Sequence, residues 1–334
     1  MSDHTWGVLS NQAITAAGVV YFLALLCALV EWSAWLSRAK AAAGAKELVG
    51  AGAPADEGVQ ADPAADVREY RAALFGRLSL MLTAIAVVCH LAALIARGMA
   101  ADPNRVPWGN MYEFTISGSF VVAAAYVVLY RRLKLAWMAP WVLGFTVVVL
   151  MLGVVALYEP VAPLTEALNS YWLVIHVIAA IIATGGFTLG GIASLAYLLK
   201  NRFPDAALLA RVPGLAALDR VSYRIHAFAF PVWTFGVLIS GPIWAHEAWG
   251  SYWNWDPKEV WAFITWVVYA GYLHARATAG WKGKKAAIVA LIGLATLWFN
   301  FIGINYFSST SQHSYAAPAA PAVVELTISE GASR

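Results

Sequence analysis

Eight runs of about twenty mostly apolar residues recur along this chain, and a run of that length lets an α-helix cross the hydrocarbon core of a bilayer. They fall near 14–36, 78–97, 114–130, 137–158, 172–199, 225–245, 260–275 and 286–307. Within lipid the backbone must satisfy its own hydrogen bonds, which leaves helices or closed barrels. The runs lack the short alternating pattern of barrel strands, so helices are expected. Composition agrees: 61% of the 334 residues are hydrophobic and 12% charged, far from a soluble domain. The expected fold is an all-α integral membrane protein, a polytopic bundle of about eight transmembrane helices.

Lys and Arg fix the expected orientation, because they concentrate in short loops on the inner side. With the N-terminus outside, 18 of the 22 basic residues fall inside, in the segments 38–77, 131–134, 200–224 and 276–285. Only Arg97, Arg105, Lys258 and Arg334 then lie outside. Both termini are therefore expected to be extracytoplasmic. The division that follows is a first transmembrane helix at 1–37, a largely disordered cytoplasmic loop at 38–77, and a transmembrane core at 78–315. That core carries an external loop at 246–261, and a disordered tail follows at 316–334. Residues 41–66 and 316–334 are rich in Ala, Gly, Asp and Pro and poor in large apolar side chains, so neither can bury a core. No Lys or Arg precedes the first run, which reads as a retained helix. Cys27 and Cys89 lie in separate apolar runs without a CxxC and read as inert thiols.

The external loop is the most unusual segment. Trp249-Gly250-Ser251-Tyr252-Trp253-Asn254-Trp255-Asp256-Pro257-Lys258-Glu259-Val260-Trp261 places four of sixteen tryptophans in thirteen residues. Interfacial anchoring explains scattered Trp and Tyr, but not Trp249, Trp253, Trp255 and Trp261 together. Flat indole faces suit a large planar aromatic ligand. The same orientation puts His176, one turn into the fifth span, and His313, just past the eighth, on that side. Two neutral imidazoles make an axial pair for haem iron, and Trp172 shares the helix face of His176. Haem carboxylates would need cations, and Lys258 and Arg105 are the outer basic residues nearest the aromatic loops. Asp256, Pro257 and Glu259 also have a structural reading as N-cap, N1 and N3 of the seventh helix. Gly185-Gly186 and Gly190-Gly191 read as a close-packing face on the fifth span.

These segments together resemble a known family. PWGNMYEF at 107–114, SYWLVIH at 170–176, WGSYWNWDPKE at 249–259, YLHAR at 272–276 and GINYFSSTSQHSY at 303–315 occur in the order seen in haem-handling membrane proteins with a tryptophan-rich "WWD" domain. The likeness is best to the CcsA (ResC) family, called CcsB in some bacteria, of the system II cytochrome c maturation machinery, and covers most of 70–315. It implies haem b (iron protoporphyrin IX) held at an external platform of Trp249, Trp253, Trp255, Asp256, Lys258 and Trp261, with His176 and His313 as axial ligands. It implies that His274 is an inner transmembrane haem ligand whose partner histidine comes from a CcsB/ResB-type membrane subunit. The expected substrate partner is apocytochrome c, whose CxxCH thiols add to haem, with a thiol-reducing thioredoxin-like protein upstream and no nucleic acid. Localisation in the inner or plasma membrane follows from the same likeness.

No catalytic residue of the chain's own is expected, since there is no evident acid–base pair or cysteine nucleophile. A holocytochrome c synthase (haem lyase) activity would belong to the two-subunit complex. The alternative is a haem exporter serving a separate chaperone, although that branch is usually smaller. A respiratory b-type cytochrome would need a second histidine pair, which His90, His226 and His274 do not form. His90 and His226 read as structural, and His246 adjoins the Trp loop. A coupled transporter would need more intramembrane acids than Glu31.

Overall fold

The computed structural model describes residues 1–50, 63–162, 170–308 and 310–312, and no strand occurs among them. The helices are α1 (Asp3–Gly50), α2 (Pro63–Met99), α3 (Met111–Leu129), α4 (Ala139–Ala156), α5 (Tyr171–Arg202), α6 (Leu215–Thr234), α7 (Gly241–Trp249), α8 (Pro257–Thr278), α9 (Lys284–Trp298) and α10 (Ile304–Phe307). Two π-turns, Phe235–Ser240 and Phe299–Gly303, join α6 to α7 and α9 to α10 without breaking the helix.

Seven stretches are long and apolar enough to cross a membrane: Asp3–Ser37, Glu69–Met99, Met111–Leu129, Leu135–Ala156, Tyr171–Arg202, Leu215–Trp249 and Lys284–Phe307. The run expected at 260–275 is helical too, as the 22-residue α8. At 1.5 Å per residue α8 is about 33 Å long. Its Lys258, Glu259, His274 and Arg276 lower its apolarity below that of the other seven. The chain is a polytopic helical membrane protein.

The expected inner loop at 38–77 is shorter in the structure. Helix α1 continues to Gly50 and α2 starts at Pro63, because Ala-, Lys- and Glu-rich sequence favours helix. The remainder of that loop, 51–62, and the tail expected at 316–334 lie outside the described residues.

Helices α1 and α2 form an antiparallel hairpin along a seam of small residues. Ala17, Ala24, Ala28, Ala86 and Ala93 are buried there, so the backbones approach closely. Ser10 Oγ donates to the Ala93 carbonyl at 2.9 Å and Ser79 Oγ to that of Ala24 at 3.0 Å. The opposite faces expose Phe22, Leu26, Met81, Ile85 and Val88, as lipid-facing surfaces do. Two ion pairs fasten this hairpin to the rest of the bundle. Glu31 on α1 pairs with Arg211, and at the other end Arg97 on α2 pairs with Glu113 on α3 at 2.9 Å. Glu31 is thus the partner of a structural cation.

Helix α5 runs through the centre, and its glycines do what their spacing predicts. A Cβ at Gly186 would lie 2.8 Å from that of Ala229 on α6, and one at Gly191 would lie 2.5 Å from Leu294 on α9. A Cβ at Gly190 would strike the ring of His226. Below the site, Phe187 on α5 stacks on Tyr269 of α8 with centroids 3.8 Å apart, and Tyr269 donates to the Ala290 carbonyl of α9. One such aromatic pair contributes about 0.5–1.5 kcal/mol beyond burial. This packing holds α5, α6, α8 and α9 as one unit.

Candidate functional site

Helix α5 opens on Ser170, whose hydroxyl accepts the Trp172 amide at 3.1 Å and donates to Glu247 on α7 at 2.5 Å. This cap fixes where the helix begins and therefore the height of His176, one and a half turns in. The His176 Nδ1 lies 2.8 Å from the Gly236 carbonyl. A carbonyl only accepts, so Nδ1 carries the proton and Nε2 is the lone-pair nitrogen. Gly236 lies in the first π-turn, where its carbonyl also takes the amide of Gly241 and, at 3.0 Å, the hydroxyl of Ser240. Such a turn shifts the hydrogen-bond ladder by one residue and is frequent at functional sites.

Room for the imidazole comes from Gly241. A Cβ there would approach within 3.1 Å of both His176 Cε1 and Nδ1. The other side of the ring faces Trp244, nearly parallel at 14° with centroids 5.8 Å apart. Trp249 meets Trp244 edge-on at 4.7 Å. Trp108, Leu173 and Val177 complete this cluster, with Phe114 and Trp172 against it.

Helix α7 stops at Gly250, whose φ of 73° is a left-handed conformation natural to glycine. The Trp loop then crosses to α8, where the expected capping box is present. Asp256 Oδ1 accepts the Lys258 amide at 2.8 Å, and Glu259 Oε2 reaches back to the amides of Asp256 and Asn254. Trp255 just before it has φ 56° and is 73% exposed. A tryptophan held left-handed and displayed outward is costly, by about 1–2 kcal/mol. Trp253 meets Trp255 edge-on at 6.0 Å, and Trp261 lies 4.2 Å from Phe299 on the second π-turn.

A mostly apolar cavity opens between these elements. His176, Trp244, Trp253, Lys258, Trp298 and Phe301 line it, and it extends inward past Val237 to Thr184 and Trp233. Lys258 Nζ donates to Asn305 Oδ1 at 3.1 Å. Lys258 stands ahead of the span expected at 260–275; burial lowers its ammonium from 10.5 to about 8, and Asp256 opposes the fall. Two further lining groups, Thr115 Oγ1 and Asn300 Oδ1, are buried without a hydrogen-bond partner among the described residues. A lone-pair imidazole, an inward lysine, two unsatisfied polar atoms and aromatic walls are a donor set that fits a haem.

Of the residues expected at the site, His176, Trp253 and Lys258 line the cavity together. Trp249 stands behind His176 through Trp244, Trp255 and Trp261 lie in the adjoining aromatic shell, and Asp256 engages the chain's own donors. His313 lies outside the described residues. His274 is exposed on the bundle surface, sixteen residues from Lys258 and about 24 Å along α8. His246 is exposed and stacks on Tyr252 at 4.3 Å. Arg105 is committed elsewhere. Its Nη1 lies 2.7 Å from Oε2 of fully buried Glu113, which also holds Arg97 and the Gly109 amide. His90 packs edge-on between Tyr21 and Phe120, and His226 donates through Nδ1 to the Ser222 carbonyl at 2.7 Å.

Several site residues were not singled out from sequence. Pro231 and Pro242, which have no N–H for the ladder, were signals for irregular helix near Gly236. Trp244 was hidden among many interfacial tryptophans. Glu113 sits just ahead of the apolar run at 114–130 and Asn300 inside that at 286–307, with nothing local to mark their partners.

A central glycine-lined helix with an oriented histidine at the wall of an aromatic cavity defines a polytopic helical membrane protein with a cavity among its helices. Residues 108–311 match the cytochrome c assembly protein family, and the chain belongs to that family. Its relatives include cytochrome c biogenesis proteins CcsA. That of Chlamydomonas reinhardtii is 43% identical over 47% of this chain and 44% of its own length. That of Guillardia theta is 32% identical over 69% of this chain and 83% of its own. That of Microcystis aeruginosa is 32% identical over 70% and 85%. Among solved structures, cytochrome c haem lyase CcmF superposes with a TM-score of 0.62 at 16% identity, covering 90% of this chain and 47% of that one, a likeness of fold.

Proposed function

We propose that this chain acts in cytochrome c biogenesis as the haem-handling subunit of a cytochrome c synthase, holding haem b at the extracytoplasmic face of the inner or plasma membrane. The observation that carries the reading is the His176–Gly236 hydrogen bond at the wall of the aromatic cavity. Metal-ligating histidines characteristically donate their second ring N–H to a carbonyl, which fixes the tautomer and ring direction. His176 and His313 would hold the iron, Trp253 and Trp244 would form aromatic walls, and Lys258 would meet a haem carboxylate.

When bound, haem supplies the vinyl groups to which the CxxCH thiols of apocytochrome c add. The chain's own residues contribute position. The Ser170 cap and the π-turn hold the imidazole still, the aromatic walls exclude water, and Lys258 supplies positive charge in a place of low dielectric. Outward-facing His274 would be completed by a CcsB/ResB-type membrane subunit, and a thioredoxin-like protein would keep the apocytochrome thiols reduced.

The test is to purify the chain with its partner subunit and record haem content and visible spectrum, with a CxxCH cytochrome coexpressed. His176→Ala and His313→Ala should each remove a residue that would hold the iron and abolish covalent haem attachment. Unchanged haem content and cytochrome yield in both would refute the assignment.

A further inference from the structure

Several polar side chains that line the cavity spend their groups on the protein itself. Ser119 Oγ donates to the Ile116 carbonyl at 3.1 Å, Glu259 Oε2 accepts the Asn254 and Asp256 amides, and Lys258 donates to Asn305. Thr115 on α3 and Asn300 on the second π-turn differ. They are 6% and 7% exposed, and Thr115 Oγ1 and Asn300 Oδ1 have no hydrogen-bond partner among the described residues. A buried polar atom left unpaired is costly and calls for a water or a bound group to answer it.

Other residues of the same types show what is unusual here. Thr234 and Thr265 donate to the carbonyl four residues back, those of Phe230 and Trp261. Thr115 packs its methyl towards α4 instead, where a Cβ on Gly153 would lie 3.1 Å from its Cγ2. Asn305 uses both ends of its amide, donating to the Phe301 carbonyl and accepting from Lys258 Nζ. Asn300 stands five residues earlier, where the Ile304 amide reaches back to the Phe299 carbonyl. That π register brings residues five apart towards one face, so Asn300 lies about one turn back from the partner of Lys258.

We propose that Thr115 and Asn300 are specificity-determining residues, whose unpaired groups give neutral hydrogen bonds to a haem carboxyl group that Lys258 does not take. The inference rests on the reading of the cavity as a haem site. An amide carries donor and acceptor side by side, and a hydroxyl serves as either, so the pair can hold a carboxyl group without placing a further charge in the apolar wall. The cavity then selects a porphyrin with two polar substituents over one of similar size with alkyl edges.

The test uses the complex of this chain with its partner subunit, freed of haem. It is titrated with iron protoporphyrin IX and with iron etioporphyrin, whose edges carry alkyl groups only, reading the absorption bands that His176→Ala removes. Asn300→Leu and Thr115→Val keep the size of each side chain and delete its polar atoms. Asn300→Leu should weaken protoporphyrin binding roughly tenfold, and Thr115→Val should act in the same direction, while etioporphyrin binding stays within about twofold of wild type. Because the deleted atoms are unpaired without ligand, both variants should melt at or above the wild-type temperature in haem-free complex. Thr115→Val carries the test if Asn300→Leu does not fold. Combining Asn300→Leu with Lys258→Met should multiply the two losses, as independent sites do. A double variant no weaker than the worse single one would put both residues on one carboxyl group and overturn the proposal. If Asn300→Leu and Thr115→Val match wild type, or weaken the two porphyrins equally, the proposal is refuted while the haem reading stands. If wild type binds neither porphyrin through His176, the haem reading falls and the inference with it.

Discussion

The imidazole of His176 on α5 hydrogen-bonds at 2.8 Å to the carbonyl of Gly236, sixty residues later in a π-turn. That carbonyl collects three donors, the ring Nδ1, the Gly241 amide and the Ser240 hydroxyl. The π-turn thus sets the ring from one side while Trp244 faces it from another.

Gly241→Ala tests this arrangement. The added methyl would sit 3.1 Å from two ring atoms and from the Gly236 carbonyl. Overpacking of this sort costs about 1–3 kcal/mol. The variant should fold but lose the low-spin haem spectrum partly, and added imidazole should restore it. An unchanged spectrum would mean the ring has room to spare.

Trp255→Gly separates display from stability. The side chain is 73% exposed and its backbone is left-handed, so glycine relieves about 1–2 kcal/mol of strain while adding about 0.5–1 kcal/mol of chain entropy. The melting temperature in detergent should stay near that of wild type. Covalent haem attachment to a CxxCH reporter should fall, and full activity would remove Trp255 from the platform.

Glu113→Gln should be severely destabilising. Glu113 is fully buried between Arg97 and Arg105, and its loss strands two guanidinium groups. Breaking a buried pair costs about 3–5 kcal/mol. Thermal unfolding of Glu113→Gln against the double variant with Arg97→Met should show partial rescue; additive losses would argue against the triad.

Lys258 gives a pH signature. Its ammonium is lowered to about 8, so it is mostly charged at pH 7 and mostly neutral at pH 9. Retention of a ligand carboxylate should weaken across that interval, and Lys258→Met should flatten the dependence. In ligand-free protein the sign is opposite. The unfolded chain keeps the proton up to 10.5, so stability rises with pH between about 8 and 10.5. Chelation-free haem titrations and melting curves at pH 7 and 9 check both halves.

The features legible in sequence were those written in local pattern. Apolar runs gave the helices, the spacing of Asp256, Pro257 and Glu259 gave the capping box, and the paired glycines gave the packing face of α5. His176, Trp253 and Lys258, grouped in sequence by residue type and expected side, line one cavity together. What escaped was non-local. Both π-turns lie in stretches that are apolar on nearly every face, where a ladder shift of one residue disturbs no visible pattern, so Gly236 and Asn300 were not singled out. Arg105 was set beside a ligand because nothing local marked Glu113, eight residues on, as its partner. The bonds of Asp256 to Ser311 and Gln312 depend on chain returning after more than fifty residues.

The N-terminal hairpin of α1 and α2 is clasped at both membrane rims, by Glu31–Arg211 at one and Arg97–Glu113 at the other. A two-point mounting resists swinging, so the hairpin is a fixed strut and not a door. The start of α8 and α10 with the residues that follow it, by contrast, are joined by polar contacts, Lys258 to Asn305 and Asp256 to Ser311 and Gln312.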